Sequence, residues 1–238
     1  MLKIFIMYTI TLTGNSSELS CDFFPPIEVS ENAKIGLLGF QTNNSIPNIN
    51  DKCNKIGFVY RNKENLLISD IYTMPTGSYE LKEIETVIKH LLSESEDTFQ
   101  LKANTNTLKC EMSSNMVIDF SIPHSIGVLL GFKNQIYDAN VRHQSDTLVN
   151  ITKTNCIYID SNLVKGSFFN GKQCHTIHEF YPNVPPGYKI IEVPTHLVFY
   201  PLNTTSITRA SIILKNQDNE LIDLRGESVS IRLLIQDL

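Results

Sequence analysis

The sequence predicts an all-β protein, an antiparallel sandwich or barrel with about one amphipathic helix. First, 42% of its 238 residues are hydrophobic and only 19% are charged, a composition that buries a core and excludes a disordered tail. Second, the polar residues are mostly Asn, Thr and Ser, Ile is abundant, and Trp is absent. β-Branched residues suit half-buried strands and Asn suits turns. Third, short apolar segments recur between turn signals every roughly 8–15 residues, about eleven or twelve strands in all. No repeat, low-complexity run or linker is present. The simplest division is one domain over residues 1–238 with an N-terminal strand extension.

Met1 to Leu12 is weakly signal-like, but no small-residue cleavage site follows cleanly. Thr9 and Thr11 alternate with Ile10 and Leu12, so it reads as a first strand. Leu19 to Ile27 is a strand whose Pro25 and Pro26 place it at a sheet edge or end its pairing there. Lys34 to Gln41 is apolar on both sides, as a strand buried on both faces would be. Thr42 to Asn50 is a loop. Lys55 to Tyr60 and Leu66 to Tyr72 are strands joined by a polar turn.

After the break at Pro75 to Ser78, Leu81, Ile84, Val87, Ile88 and Leu91 form one apolar stripe, and Lys82, Glu83, Glu85 and Lys89 face away from it. This predicts a helix that covers a core. Phe99 to Met112 is a hairpin by its period-two alternation, with Leu108, Cys110 and Met112 inward on the second arm. Ile118 and Phe120 begin a short strand, and Ser125 to Phe132 is an apolar turn. Further strands are expected at Leu148 to Thr152, Cys156 to Asp160, within Phe168 to Phe180, at His196 to Leu202, Ser206 to Lys215 and Glu227 to Ile235. Tyr181 to Tyr188 is irregular because of Pro182, Pro185 and Pro186.

A net charge of −5 without a basic cluster argues against a protein that grips nucleic acid by electrostatics alone. No apolar run reaches the roughly 18 residues of a membrane helix. Cys21, Cys53, Cys110, Cys156 and Cys174 are widely spaced without a C-x-x-C, which suits free thiols in a reducing compartment and leaves one or two disulfides open. The N-x-Ser/Thr triplets at Asn15, Asn43, Asn150 and Asn203 read as turns.

His175, His178 and Glu179 differ from the helical zinc motif: the histidines are three apart and the segment does not look helical. Asp218, Glu220 and Asp223 lack the glycine and full ligand set of a calcium loop and read as a solvated turn. Arg225, Gly226 and Glu227 read as a bulge or close backbone approach before the last strand, with an Arg–Glu pair. No nucleophile elbow, P-loop or dinucleotide fingerprint occurs. No catalytic, cofactor-binding or metal-ligating residue is therefore named, and no enzyme is expected.

Several segments taken together resemble a known family. They are Thr13 to Val29, Gly36 to Ile49, Pro75 to Ile84, Ser125 to Phe132, His175 to Ile190 and the closing LIDLRGESVSIRLLI. They resemble the jelly-roll capsid-like proteins encoded by Polinton (Maverick) elements and related viruses, described as double-jelly-roll-like. The resemblance runs over nearly the whole chain and implies a structural capsid subunit of the minor, penton type. It also implies a homo-oligomer that meets other capsid subunits, without cofactor, membrane or specific nucleic acid. The implied location is intracellular, in cytoplasm or nucleus, and in a virion. One jelly roll with added strands and a helix is expected, with a compact or incomplete double roll as the alternative.

A low charged fraction fits a shell, because interface cores are depleted in charge. Gln41 to Asn50 and the proline-rich stretch before Tyr188 are candidate contact loops. Two other readings compete. One is a β-sandwich glycan-binding module, weakened by the absence of Trp. The other is a cupin-like metalloenzyme, which would need folding to gather some of His90, His124, His143 and His196.

Overall fold

The computed structural model describes residues 6–61, 64, 66–92, 98–151 and 154–237. Where the sequence suggested one domain, the chain falls into two compact units. One comprises Met1–Ile46 with Thr154–Leu238, and the other is Pro47–Lys153. The first unit opens with β1 (Ile6–Gly14), β2 (Glu18–Glu28) and β3 (Lys34–Asn43). The second follows with β4 (Lys55–Arg61), β5 (Leu67–Thr73), helix α1 (Leu81–Leu91), β6 (Phe99–Asn104), β7 (Lys109–Ser114), β8 (Val117–Asp119), β9 (Ile136–Tyr137) and β10 (His143–Leu148). The chain returns to the first unit with β11 (Ile157–Ser161), β12 (Ser167–Phe169), β13 (Lys172–Cys174), β14 (Thr176–Phe180), β15 (Lys189–Glu192), β16 (Tyr200–Pro201), β17 (Ser206–Lys215) and β18 (Val229–Asp237).

In the first unit, β1-β18-β3-β15 and β14-β11-β17-β2 form two sheets, the short β16 joins β3, and β12 pairs with β13 as a separate ribbon. With these three short strands set aside and the rest counted along this unit, the first strand pairs antiparallel with the eighth, the second with the seventh, the third with the sixth and the fourth with the fifth. A strand ribbon doubled over in this nested way is a jelly roll. The all-β jelly-roll class expected from the sequence is the observed one.

The core between the sheets follows from strand alternation. On β18, Val229, Ile231, Leu233 and Ile235 are all buried, and Ile207, Ala210, Ile212 and Leu214 meet them from β17. The N-terminal strand is part of the sheet rather than an extension. β1 pairs along its length with β18, burying Ile10 and Leu12 and exposing Thr9 and Thr11.

The double apolar face read on β3 has another cause. Leu37 opposes Leu233 and Gly39 opposes Arg232, so Leu38 is an extra, bulged residue and the inward face resumes at Phe40. Two-sided burial is limited to Gly36, where an added Cβ would lie 2.9 Å from the Val198 carbonyl.

The second unit carries the sheets β5-β4-β8-β9 and β10-β7-β6. Phe58 of β4 meets Phe99 of β6 edge-on at 5.9 Å, and Ile84 and Ile88 of α1 join the same core. Its pairings are not the nested set, so among the described strands the chain holds one complete jelly roll and a smaller sandwich.

The predicted helix is present with a capping box, in which the Glu80 amide donates to Glu83 Oε2 at 2.8 Å. The 99–114 hairpin is present, but Leu108 lies in its turn, at φ 56° and 62% exposed, rather than in the core. The Asn104 side chain organises that turn by accepting from the amides of Asn106 and Thr107. The strand expected at Leu148 to Thr152 runs instead over β10, and residues 152 and 153 lie outside the described residues. The strand expected at His196 to Leu202 shrinks to β16, while β15 was not anticipated.

Candidate assembly surface

Sheet order leaves the jelly roll with two open sides. On one lie β1 and β2, each the edge of its sheet and in contact with the other; on the opposite side lie β14 and β15. Edge strands carry unpaired backbone groups that a protein must cover or block.

The β14–β15 side exposes large apolar side chains beside the charged Glu179 and Lys189. β15 turns Ile190 into the core and Ile191 outward. Ile191 is 65% exposed, Val193 66%, Tyr181 71% and Phe168, on β12, 69%. Large contiguous exposed apolar patches are uncommon on monomeric proteins. Pro182, Pro185, Pro186 and Pro194 lie in the segments flanking β14 and β15, where regular pairing stops.

This side is also braced. His178 Nε2 and Glu192 Oε1 lie 2.9 Å apart, tying β14 to β15. The His178 ring stacks on Phe180 at 6.2 Å, and Phe180 packs against Phe40 of β3 at 5.1 Å.

Two hollows flank the β12–β13 ribbon, each about 450 Å³. The first lies between Phe168, Phe169, Ile177, Val198 and Tyr200. The second is lined by Tyr158, Asp160, Phe169, Gln173 and Lys215. In it, Asp160 accepts from Thr176 Oγ1 at 2.7 Å and Lys215 Nζ at 3.1 Å. Tyr158 and Phe169 stand edge to face at 5.9 Å. Burial, with a smaller contribution from Cys156, pushes the Tyr158 hydroxyl up to about 12.

Cys174 borders both hollows. Burial works against its thiolate, yet the Ser167 hydroxyl and the Thr176 backbone and side chain together outweigh it and hold the thiol below its ordinary value. All five cysteines are free thiols, and only Cys110 and Cys156 are buried.

The residues weighed for chemistry take structural partners. His175 Nδ1 lies 2.8 Å from the Val164 carbonyl, while His178 is engaged by Glu192. The Asp218 and Glu220 amides donate to Asn216 Oδ1 and the Arg225 amide to Asp223 Oδ1, which makes this acidic stretch a turn. Arg225 and Gly226 both have positive φ, and a Cβ on Gly226 would meet nothing. Conformation, not close approach, therefore explains that glycine, and Glu227 accepts from Asn43 Nδ2 at 2.8 Å. His143 meets Tyr137 edge to face at 5.1 Å, and His124 sits in a positive-φ turn. No group of three or more His, Cys, Asp or Glu side chains able to hold a metal occurs among the described residues.

Of the two candidate contact loops, the first is largely spent on internal bonds. Asn44 Nδ2 donates to the Val184 carbonyl, Ser45 Oγ to that of Leu224, and Asn48 Nδ2 to those of Tyr79 and Ile151. The second, ending at Tyr188, is exposed. Phe168, Phe169 and Ile191 were not singled out from sequence. Strand alternation offers a signal for Ile191, next to the buried Ile190, but not for Phe168 and Phe169, which are both exposed.

No helix among the described residues is long and apolar enough to cross a membrane. No family model and no curated protein matches the chain. Among solved structures, the crystal structure of the selenomethionine-labelled mavirus penton protein is similar at 12% identity and a TM-score of 0.51, covering 99% of this chain and 100% of that chain. At that identity the likeness shows the fold, and it spans both units.

Proposed function

We propose that this chain is a structural capsid-like subunit, penton-type, of a Polinton-like element or related virus, and that it acts by self-assembly rather than turnover. The observation that carries the reading is the set of large exposed apolar side chains on the β14–β15 side, which is braced from within. The nested jelly roll and its likeness in fold to a viral penton protein support the same reading. Burial of apolar surface between copies drives association at roughly 25 cal/mol per Å² before the cost of lost freedom is subtracted. Association therefore weakens little with salt, because charge pairing is not its main term. Electron microscopy of the purified chain tests this. Discrete rings or shells of constant size are expected, and isolated single particles at every concentration and salt would contradict it.

A second reading has its own observation. The Tyr158–Phe169 corner beside the Asp160–Lys215 pair offers an aromatic wall and polar partners suited to a sugar. Selective binding on a glycan array that Phe169→Ala removes would favour it, and a blank array would dismiss it.

A further inference from the structure

On the opposite side of the jelly roll, Phe24 is 100% exposed. Asp22 opposes Arg209 and Ile27 opposes Ile207, so Phe23, Phe24, Pro25 and Pro26 bulge out against the single residue Thr208. A bulge at an edge re-aims side chains and ends pairing. Two prolines stiffen it and withhold its N–H groups. The result is a rigid apolar knob on an edge that no strand can extend.

The β14 side, at the other edge of the same sheet, offers a socket. Its hollow of about 450 Å³ has Phe168, Phe169 and Val198 on the rim and Ile177 at its floor. The balance of charge around the two features differs. Glu18, Asp22 and Glu28 are exposed along β2, with Arg209 Nε 3.8 Å from Asp22. Lys165, Lys172 and Lys189 are exposed in the segments around the socket without lining it, whereas the exposed Glu179 lines it and Glu192 is engaged by His178.

We infer that the Phe24-Pro25-Pro26 knob of one copy seats in the β12–β14–β16 hollow of the next copy. This rests on the assembly reading above and names the occupant of its apolar side. Knob and socket are different surfaces on opposite edges, so the contact is heterologous and repeats head to tail around a ring instead of stopping at a two-fold dimer. Buried aromatic anchors that fill a pocket carry most of the affinity of such interfaces.

The test uses Phe24→Asp, followed by sedimentation velocity, and Phe24→Cys, treated with a short thiol–thiol cross-linker. Phe24 is fully exposed, so Phe24→Asp leaves the melting temperature unchanged and reports on association alone. Association should weaken about 30-fold or more. The Phe24→Cys chain should cross-link between chains to the native Cys174 at the socket, giving a covalent dimer and ladder that Cys174→Ser abolishes. If the unmodified chain assembles, and Phe24→Asp assembles equally well without a Cys174 cross-link, the knob-and-socket contact is wrong and the assembly reading stands. If the unmodified chain stays monomeric and no cross-link forms, both are wrong.

Discussion

Side-chain environment sets the reactivity of the thiols. Burial, aided by the Glu111 charge, pushes the Cys110 thiol up to about 12, whereas Cys174 is held below its ordinary value by its hydrogen bonds. At a given pH, Cys174 therefore carries more thiolate than Cys110, and the thiolate is the nucleophile. Iodoacetamide at pH 8 followed by peptide mass mapping should label Cys174 early and Cys110 last, after unfolding. The spacing of these cysteines in the sequence pointed to free thiols but did not rank them, because the ranking comes from Ser167 and Thr176 partners that folding supplies. Leu108 shows the opposite limit. It continues the alternation of Cys110 and Met112, yet the Asn104 side chain turns the chain first and leaves it outside.

Elements were legible where one face met one core. The α1 stripe and the β18 alternation place their buried residues as read. Removing the reciprocal bond of the helix cap with Glu83→Ala should cost about 0.5–2 kcal/mol, read from the urea midpoint. The apolar turn at Ser125 to Phe132 depends on glycine more severely. Gly131 has φ 83°, and an added Cβ would sit 2.4 Å from the Thr147 carbonyl. Gly131→Ala combines backbone strain with overpacking and should lower stability by roughly 1–3 kcal/mol or more in the same experiment. Elements were misread where pairing departs from regular alternation. The Leu38 bulge imitates a strand buried on both faces, and β15 and β16 are too short to carry a period of their own. They exist because β3 offers an edge to pair with.

Two cores in one chain were not visible in the sequence, because the same alternation serves both. The pairing of β1, β2 and β3 with β15, β17 and β18, across the inserted 47–153 unit, separates them. Each core should respond to its own cavity. Phe58→Ala should cost about 3–5 kcal/mol and speed amide exchange in β4 and β8, and Ile231→Ala about 2–5 kcal/mol with faster exchange in β18 and β3. An antiparallel sandwich or barrel was foreshadowed by strand count and composition, and the jelly roll by the family resemblance, while the outward aromatic side emerged only once the edges were known. Everything said of assembly depends on that side being covered by another copy. Sedimentation velocity of the unmodified chain over a concentration series, at low and high salt, tests this most directly. A discrete larger species that grows with concentration and persists in high salt is predicted; a single monomeric boundary throughout would contradict the account.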